Sequence, residues 1–292
     1  MSMILHCGGE TVTYEQIAGS EPINVTDKNP QGLLVKAPVA TSSYTPVAHD
    51  ALVEMVRESV QKLMGLPEKS QQYGLNRDGK QLFFAITYDT GDSDHGYTVA
   101  GRNSYDKSMS AGLVGGTRVF ICDNMALSGN SFQVMRKHTT NVWRDLIPMT
   151  EKAIVSAGDA YKRIAEQWEV MKEIPVTEDR GAEILGRALY YDALKPQQAT
   201  RGMRAWGNEF RAGEGKVDPR YVQHGSKDGN GEQSFYTLYQ SFTEAAKQGS
   251  IQKLIDTHIG VHDFMVAEAD RYLGTTGKRL ISFASTEGLE ID

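Results

Sequence analysis

The sequence predicts an α+β fold in which an antiparallel β-meander packs against long helices. Three runs of β-favouring residues, at 81–88, 96–101 and 117–122, follow one another with short connections. Strands that are neighbours in sequence usually pair with each other, so these runs favour a meander. Residues 146–172 then place apolar side chains at 3.6-residue spacing, which is typical of a helix with one buried face. This order of elements favours helices packed on one face of a sheet.

The first part of the chain predicts an irregular segment followed by a helix. Residues 1–44 are broken by a Gly-Gly pair and three prolines, which predicts an N-terminal arm or a few edge strands. The apolar residues of 46–64 fall on one helical face, and Gly65 and Pro67 follow as stop signals. The turn residues at 76–79 then lead into the first predicted strand.

Helices are predicted to dominate the second half of the chain. Thr177 is a suitable N-cap for one of them. Residues 195–233 are polar, basic and rich in glycine, and no helix or strand is predicted there. The later helices are predicted at residues 146–172, 178–193, 234–247 and 251–273.

Length and composition indicate a soluble globular protein. The 292 residues are 40% hydrophobic and 23% charged, which is enough to bury a large core. We predict one α+β domain over residues 45–280, between the arm at 1–44 and an acidic tail at 281–292. No apolar run reaches the ~18 residues of a membrane span, and no secretory signal opens the chain. These observations predict a cytoplasmic protein with no membrane partner.

The charges and cysteines exclude some classes of site. A net charge of −6 provides no overall basic field that would attract nucleic acid, so only a local basic surface could bind it. Cys7 and Cys122 form neither a disulfide framework nor a cluster with metal-ligand spacing. Cys122 lies in an apolar run and is interpreted as a buried thiol.

Motifs for catalysis, cofactors and metals are missing from the sequence. The glycines near residue 115 precede a predicted strand and therefore make no phosphate-binding loop. His258 and His262 have the i, i+4 spacing of a metal pair, but a third ligand is not evident and two ordinary histidines are the simpler interpretation. The acidic loop at 89–95 resembles part of a calcium loop and is interpreted as a solvated hairpin turn. We predict no metal, no cofactor and no enzymatic activity.

Two locally basic stretches carry aromatic residues and predict binding to single-stranded nucleic acid. Residues 101–144 hold six basic and two acidic side chains, and residues 195–227 hold seven and three. Basic side chains contact phosphates, and flat side chains stack on unpaired bases. The alternative is that the aromatic residues belong to the core and the basic residues form a solvated rim. The candidate binding residues are Arg102, Lys107, Arg118, Arg136, Lys137, Arg144, Arg201, Arg204, Trp206 and Tyr221.

A polar cluster is predicted where neighbouring strands end. Its members are Asn103, Asp106, Asn124 and His138. These residue types would be the best candidates for an active site if the protein were an enzyme. Asn and Asp equally well stabilise turns through hydrogen bonds to their own backbone.

Three short motifs occur together in a recognisable order. They are Asn103-Ser104-Tyr105-Asp106-Lys107-Ser108, then Val119-Phe120-Ile121-Cys122-Asp123-Asn124, then Arg136-Lys137-His138-Thr139. With the later segment at 238–245, they resemble domain-of-unknown-function family 932, a family of phage- and plasmid-like proteins, over roughly residues 45–250. The chain departs from the family pattern at Tyr105, Lys107 and Asp123. This resemblance implies an origin in a mobile element of a bacterial host cell.

The predicted meander followed by a long helix is similar to the core of single-strand annealing recombination proteins. That architecture implies a homo-oligomer that holds DNA in a basic groove. Our main hypothesis is a non-enzymatic phage or plasmid protein that binds or anneals single-stranded DNA in recombination or replication. The alternative is a phage protein-interaction module that binds and inhibits a host defence protein.

Overall fold

The protein has the α+β fold that the sequence predicts. A computed structural model describes residues 10–17, 38–92, 95–119, 125–127, 133–211, 233–247 and 251–275. The strands are Glu10–Val12 (β1), Glu68–Asn76 (β2), Gln81–Tyr88 (β3), His95–Ser104 (β4), Ala111–Val119 (β5), Met125–Leu127 (β6) and Gln133–Arg136 (β7). The helices are Tyr14–Ile17 (α1), His49–Met64 (α2), Val142–Lys172 (α3), Glu178–Tyr190 (α4), Pro196–Arg211 (α5), Phe235–Ala246 (α6) and Ile251–Thr275 (α7).

One sheet contains all seven of these strands. Its order is β1-β2-β3-β4-β5-β6, and β7 also pairs with β5. Every pairing with a described register is antiparallel, which confirms the predicted meander.

The chain divides into two compact units. The first holds most of the sheet with α1, α2 and α3 as far as Tyr161, and the second holds the rest of α3, α4, α5, α6 and most of α7. The arm at 1–44, the single domain over 45–280 and the tail at 281–292 stay predictions, and the tail lies outside the described residues. Among the helices that are described, none is both long and apolar enough to cross a membrane.

The core of the first unit forms between the sheet and one face of α2. Every residue of β3 is buried. Leu52, Val56 and Val60 of α2 share a core cluster with the sheet and with Ile154 of α3. The helix α2 ends at Met64 and is followed by Gly65, whose φ of +63° is the left-handed conformation in which glycine has no side-chain clash. This helix starts three residues later than predicted.

Two strand predictions are corrected. The sequence does not predict β2, because its residues EKSQQYGLN include few of the branched and aromatic types that favour strands. β5 begins at Ala111 rather than at Thr117, so its glycines lie inside the strand. Gly115 pairs with Val99 and Gly116 with Thr98, which shows that the ladder to β4 outweighs the low strand propensity of glycine.

Two predictions for the helices of the second half are corrected. Thr177 caps α4 as predicted, its hydroxyl oxygen accepting a hydrogen bond from the Arg180 N–H at 3.2 Å. α3 begins at Val142, four residues earlier than predicted, and contains Pro148. α5 lies in the stretch for which no element is predicted. Pro196 opens it, and proline is favoured at that first position because it needs no backbone N–H there.

The second unit is built on large buried aromatic side chains. Trp168 and Trp206 are 1% and 2% exposed. The indole of Trp206 lies directly against Gly181 of α4, so that a Cβ at Gly181 would be 2.1 Å from Trp206 Nε1. The absence of a side chain at position 181 is therefore a packing requirement.

Replacing Gly181 by alanine should destabilise the protein, because the added methyl group would overlap a buried indole. We expect the free energy of unfolding to fall by about 1–3 kcal/mol. Gly186→Ala is the matched control on the same helix, since a Cβ at Gly186 would have no other atom within 4 Å. That variant should gain about 0.5–1 kcal/mol from helix propensity. Urea unfolding checks both, and equal stabilities for the two variants would contradict the packing argument.

Candidate functional site

Three connecting segments meet at one end of the sheet, which we call the sheet end. The register aligns the segments, because Gln81 pairs with Ser104 and Ala111 pairs with Arg136. The Gln81 amide also donates to the Ser108 hydroxyl at 2.8 Å. The sheet end consists of residues 77–80, 105–110 and 137–140, together with the strand residues next to them.

A buried hydrogen-bond network lies at the sheet end. Asn103 on β4 contacts His49 at the start of α2 and His138 just after β7. The amide nitrogen of Asn103 is 2.9 Å from His49 Nδ1 and 2.6 Å from the Val47 carbonyl oxygen. Its Oδ1 is 2.8 Å from His138 Nε2. All three side chains are at most 7% exposed, so these contacts replace water as hydrogen-bond partners.

The network fixes the tautomer of both imidazoles. His49 Nε2 is 3.1 Å from the Gly79 carbonyl oxygen, which can only accept, so this nitrogen carries the proton. His49 Nδ1 therefore accepts from Asn103, and Asn103 Oδ1 accepts in turn from His138 Nε2. Burial lowers the pKa of His49 to about 3 and also lowers the pKa of His138, in keeping with neutral rings. The remaining nitrogen of His138, Nδ1, keeps its lone pair.

Tyr105 ties the helix α2 to the same network. Its hydroxyl oxygen accepts a hydrogen bond from the backbone N–H of His49 at 2.8 Å. Its ring stacks on the His49 imidazole, with centroids 3.9 Å apart and an interplanar angle of 8°. Ala48, at the N-cap position, has no side chain that could cap the helix, so the phenol of Tyr105 serves that purpose.

The surface of the sheet end is basic. Arg77, Lys80, Lys107 and Lys137 are exposed. Arg77 is 3.2 Å from Asp106. Burial alone would raise the pKa of Asp106, but hydrogen bonds from Ser108 and the Arg77 guanidinium hold that pKa below its usual range. This carboxylate is therefore ionised and already neutralised by its neighbour.

Three of the residues at the sheet end have left-handed backbone conformations. Arg77 and Asp78 have φ of +52° and +55°, and Lys107 has φ of +62°. Residues other than glycine rarely adopt this conformation, and where they do, they often belong to functional sites. The Lys107 ammonium also lies 4.5 Å from the centroid of the Tyr44 ring, a cation–π contact.

Only some basic residues of the first predicted stretch, 101–144, lie at the sheet end. Lys107, Arg136 and Lys137 lie there, and Arg136 is paired with Asp145. Arg144 is exposed on α3, with its Nε 3.7 Å from Asp145. Arg102 is half-buried within β4, and Arg118 lies within β5, of which only the backbone is described at that residue.

The second predicted basic stretch belongs to the second unit, and the structure argues against two of its members. Trp206 is 2% exposed, and an indole so buried offers no face to a base, which corrects its predicted stacking role. Arg201 is half-buried and ion-paired with Glu244, so it is not available to a phosphate in this structure. Arg204 is exposed on α5, and Tyr221 lies outside the described residues.

The predicted polar cluster is partly brought together. Asn103 and His138 are in direct contact, and Asp106 lies on the adjoining loop. Asn103 lies inside β4 and not after it, because that strand runs three residues further than predicted. Asn124 is outside the described residues. His49 is a member that the sequence does not predict, since nothing local distinguishes a histidine at a helix start.

The histidine pair on α7 is buried and forms no described metal site. The Tyr239 hydroxyl and His262 Nδ1 are 3.0 Å apart, and burial lowers the pKa of His262 to about 4. His258 is 1% exposed. Within the described ranges, no group of three or more His, Cys, Asp or Glu side chains could hold a metal ion.

Comparison with known proteins identifies a family and no activity. A family model described as "Domain of unknown function (DUF932)" matches residues 38–271, well over half of the chain. The matched span includes the whole sheet end and its buried network. No curated protein and no solved structure matches the chain.

Replacing Asn103 by leucine should destabilise the fold, because leucine fills a similar volume but forms no hydrogen bond. His49 Nδ1 and His138 Nε2 would both lose their partner, at about 1–3 kcal/mol for each buried group. We expect the free energy of unfolding in urea to fall by roughly 2–6 kcal/mol. Gln61→Leu, at an exposed position within α2, is the control and should change stability by less than about 0.5 kcal/mol. Equal effects at the two positions would show that the network contributes nothing.

Stability should fall as the pH drops below the ordinary pKa of histidine. The pKa of His49 is about 3 in the folded state against an ordinary value of 6.5, so only the unfolded chain takes up a proton between these values. The stabilisation is complete above pH 6.5 and is lost toward pH 3, by up to about 1.4 kcal/mol per pH unit. Unfolding in urea between about pH 7 and 5 measures this slope. His49→Gln should give a smaller slope than the wild type; an unchanged slope would contradict the assignment.

Proposed function

The chain belongs to the DUF932 family, and from that premise we propose that it binds single-stranded DNA through the basic surface of the sheet end. The observation that supports this most is the convergence of basic side chains from three separate segments. Only two carboxylates, Asp78 and Asp106, accompany them in these segments. The basic side chains are Arg77, Lys80, Lys107, Arg136 and Lys137.

The charge available to a ligand comes mainly from the three lysines. Lys80, Lys107 and Lys137 are exposed and form no ion pair with any side chain that the structure describes. Arg77 and Arg136 each have a carboxylate partner. Lysine ammonium groups without a carboxylate partner are well suited to phosphate oxygens, which carry the dense charge of a nucleic acid.

The buried network supports the proposal because it holds the backbone of Lys80 and Lys137 in place. The backbone of Lys80 is tied to the network, since the Tyr105 N–H donates to the Lys80 carbonyl oxygen at 2.7 Å. Lys137 directly precedes His138, whose imidazole is bound to Asn103. Charges held in place lose less conformational freedom on binding than charges on a flexible loop.

This arrangement favours a mode of binding that depends on the sugar-phosphate backbone. Tyr44, which contacts the Lys107 ammonium, and Tyr105, in the same connecting segment as Lys107, are 5% and 6% exposed and do not serve as stacking platforms. Phosphate contacts carry no sequence information, so we propose binding to single strands of any sequence. Recombination or replication of a phage or plasmid, by a homo-oligomer of this chain, is the biological setting that we propose for it.

Reversing the charge of two lysines should weaken DNA binding and its dependence on salt. For Lys107→Glu with Lys137→Glu, we expect the slope of log affinity against log salt to become less steep by roughly 1.4, since each phosphate contact contributes about 0.7. Fluorescence anisotropy with a labelled strand of about 40 nucleotides, titrated at several salt concentrations, measures affinity and slope. Arg136 is not used, because a carboxylate there would face Asp145.

The control for this experiment is Lys69→Glu, at an exposed residue whose 3.9 Å ion pair with Asp89 is screened by solvent and contributes little to stability. Lys69 lies at the opposite end of β2 from Arg77, about 25 Å away at roughly 3.3 Å per residue. A single reversal there should leave the slope nearly unchanged. Wild-type protein that fails to bind at low salt, or equal losses for control and double variant, would remove the sheet end as the binding surface. Mass photometry of the same samples tests the proposed oligomer.

A further inference from the structure

A groove in the first unit lies between α2 and the first turns of α3, and none of the residues that line it belongs to the sheet-end segments. It encloses about 430 Å³. Residues of both helices line it, and an ion pair of 2.7 Å between Lys62 and Glu151 joins the two helices at one point along it.

The floor of the groove is apolar and accessible. Met55 of α2 is nearly buried, and Trp143 of α3 is half-buried with its ring packed on the core cluster. Ile147, one turn further along α3, is 46% exposed. Val155, two turns beyond Ile147, is 57% exposed and lies on the same face of α3, with Glu151 between the two. Apolar side chains arranged in this way commonly receive a partner's side chains.

The rim of the groove is acidic. Three carboxylates line it against a single lysine. Glu151 is neutralised by Lys62, and Glu54 is 2.7 Å from Arg57. Glu58 is exposed and forms no ion pair with any described side chain, and it also borders a second hollow of about 310 Å³ on the other side of α2. An unneutralised carboxylate beside an apolar floor is complementary to a cation carried next to an apolar side chain.

We propose that this groove docks an amphipathic helix of a partner protein, with leucine-like residues on one face and Lys or Arg beside them. The apolar side chains would pack on Trp143 and Ile147, and a cation would pair with Glu58. A helix laid in a groove is a common mode of peptide recognition, and it uses side chains at helical spacing of the kind that this floor accommodates. A nucleic acid is not the occupant, because its phosphates would face the carboxylates of the rim. The docking function goes beyond the proposed DNA binding and uses a different surface.

The fluorescence of Trp143 reports directly on whether a ligand occupies the groove. The other two tryptophans of the chain, Trp168 and Trp206, are at most 2% exposed, so iodide quenching of the fluorescence reports mainly on Trp143. The probe is a synthetic amphipathic helix of leucine and lysine, and the comparison peptide has every lysine replaced by glutamate. We expect saturable protection of Trp143 by the first peptide and none by the second.

Two variants of the full chain place the binding in the groove. Glu58→Lys should weaken the affinity for the leucine-lysine peptide roughly tenfold, because it puts like charges together. Ile147→Ser should weaken it by roughly the same factor through lost apolar contact. Their controls are Glu166→Lys and Val170→Ser, at exposed positions elsewhere on α3, which should bind as the wild type does.

Four outcomes would overturn the proposal. The first three are a lack of saturable protection, equal protection by the glutamate peptide, and equal affinities for the groove variants and their controls. Protection of Trp143 that grows with protein concentration in the absence of peptide would also overturn it, since the occupant would then be a second copy of the chain. DNA binding is measured separately on the same variants, so that failure of one proposal does not affect the other.

Discussion

The amide of Asn103 is the contact on which the sheet end depends. Asparagine offers two donated protons and one acceptor, and the surrounding groups require both functions. The amide nitrogen donates to His49 Nδ1 and to the Val47 carbonyl oxygen, and the amide oxygen accepts from His138 Nε2. A strand, a helix start and the segment after β7 are thereby joined through one side chain. Buried polar groups stabilise a structure in this way only when all of them are satisfied, as the amide of Asn103 is.

The first unit separates its charges between two surfaces. Lysines collect where the hairpin turns meet, while carboxylates border the groove along α2. A chain with a net charge of −6 can therefore present a local basic surface, although its overall composition indicates otherwise. Local charge governs contacts at close range because salt screens fields beyond about 8–10 Å. The two proposed ligands, one anionic and one cationic, follow from this separation.

The parts of the fold that can be predicted from the sequence are those in which local pattern and burial agree. β3 is apolar on both faces, and α4 has a hydroxyl cap, so both are recognisable. β2 and α5 are not recognisable from the sequence. Their composition does not favour a strand or a helix, and they adopt these conformations because of the elements that they pair with or pack against. The same limit applies to the site. Asn103 and His138 can be grouped from their positions near strand ends, whereas His49 joins them through contacts across 54 and more residues of chain. The burial of Trp206 argues against the stacking role predicted for it, since a basic neighbourhood in the sequence does not reveal whether an aromatic ring is buried.

The position of Asn103 inside a strand has a consequence for the chemical ageing of the protein. Asparagine deamidates when the next backbone nitrogen attacks its side chain, a step that requires a backbone free to bend. Asn103 pairs with Leu82 in the ladder between β3 and β4, which holds the backbone extended and hinders that attack. Deamidation would replace the amide with a carboxylate of almost the same shape, which cannot donate to Val47 or to a neutral His49. The extended strand thus preserves the amide nitrogen of Asn103, which donates the hydrogen bonds to Val47 and His49.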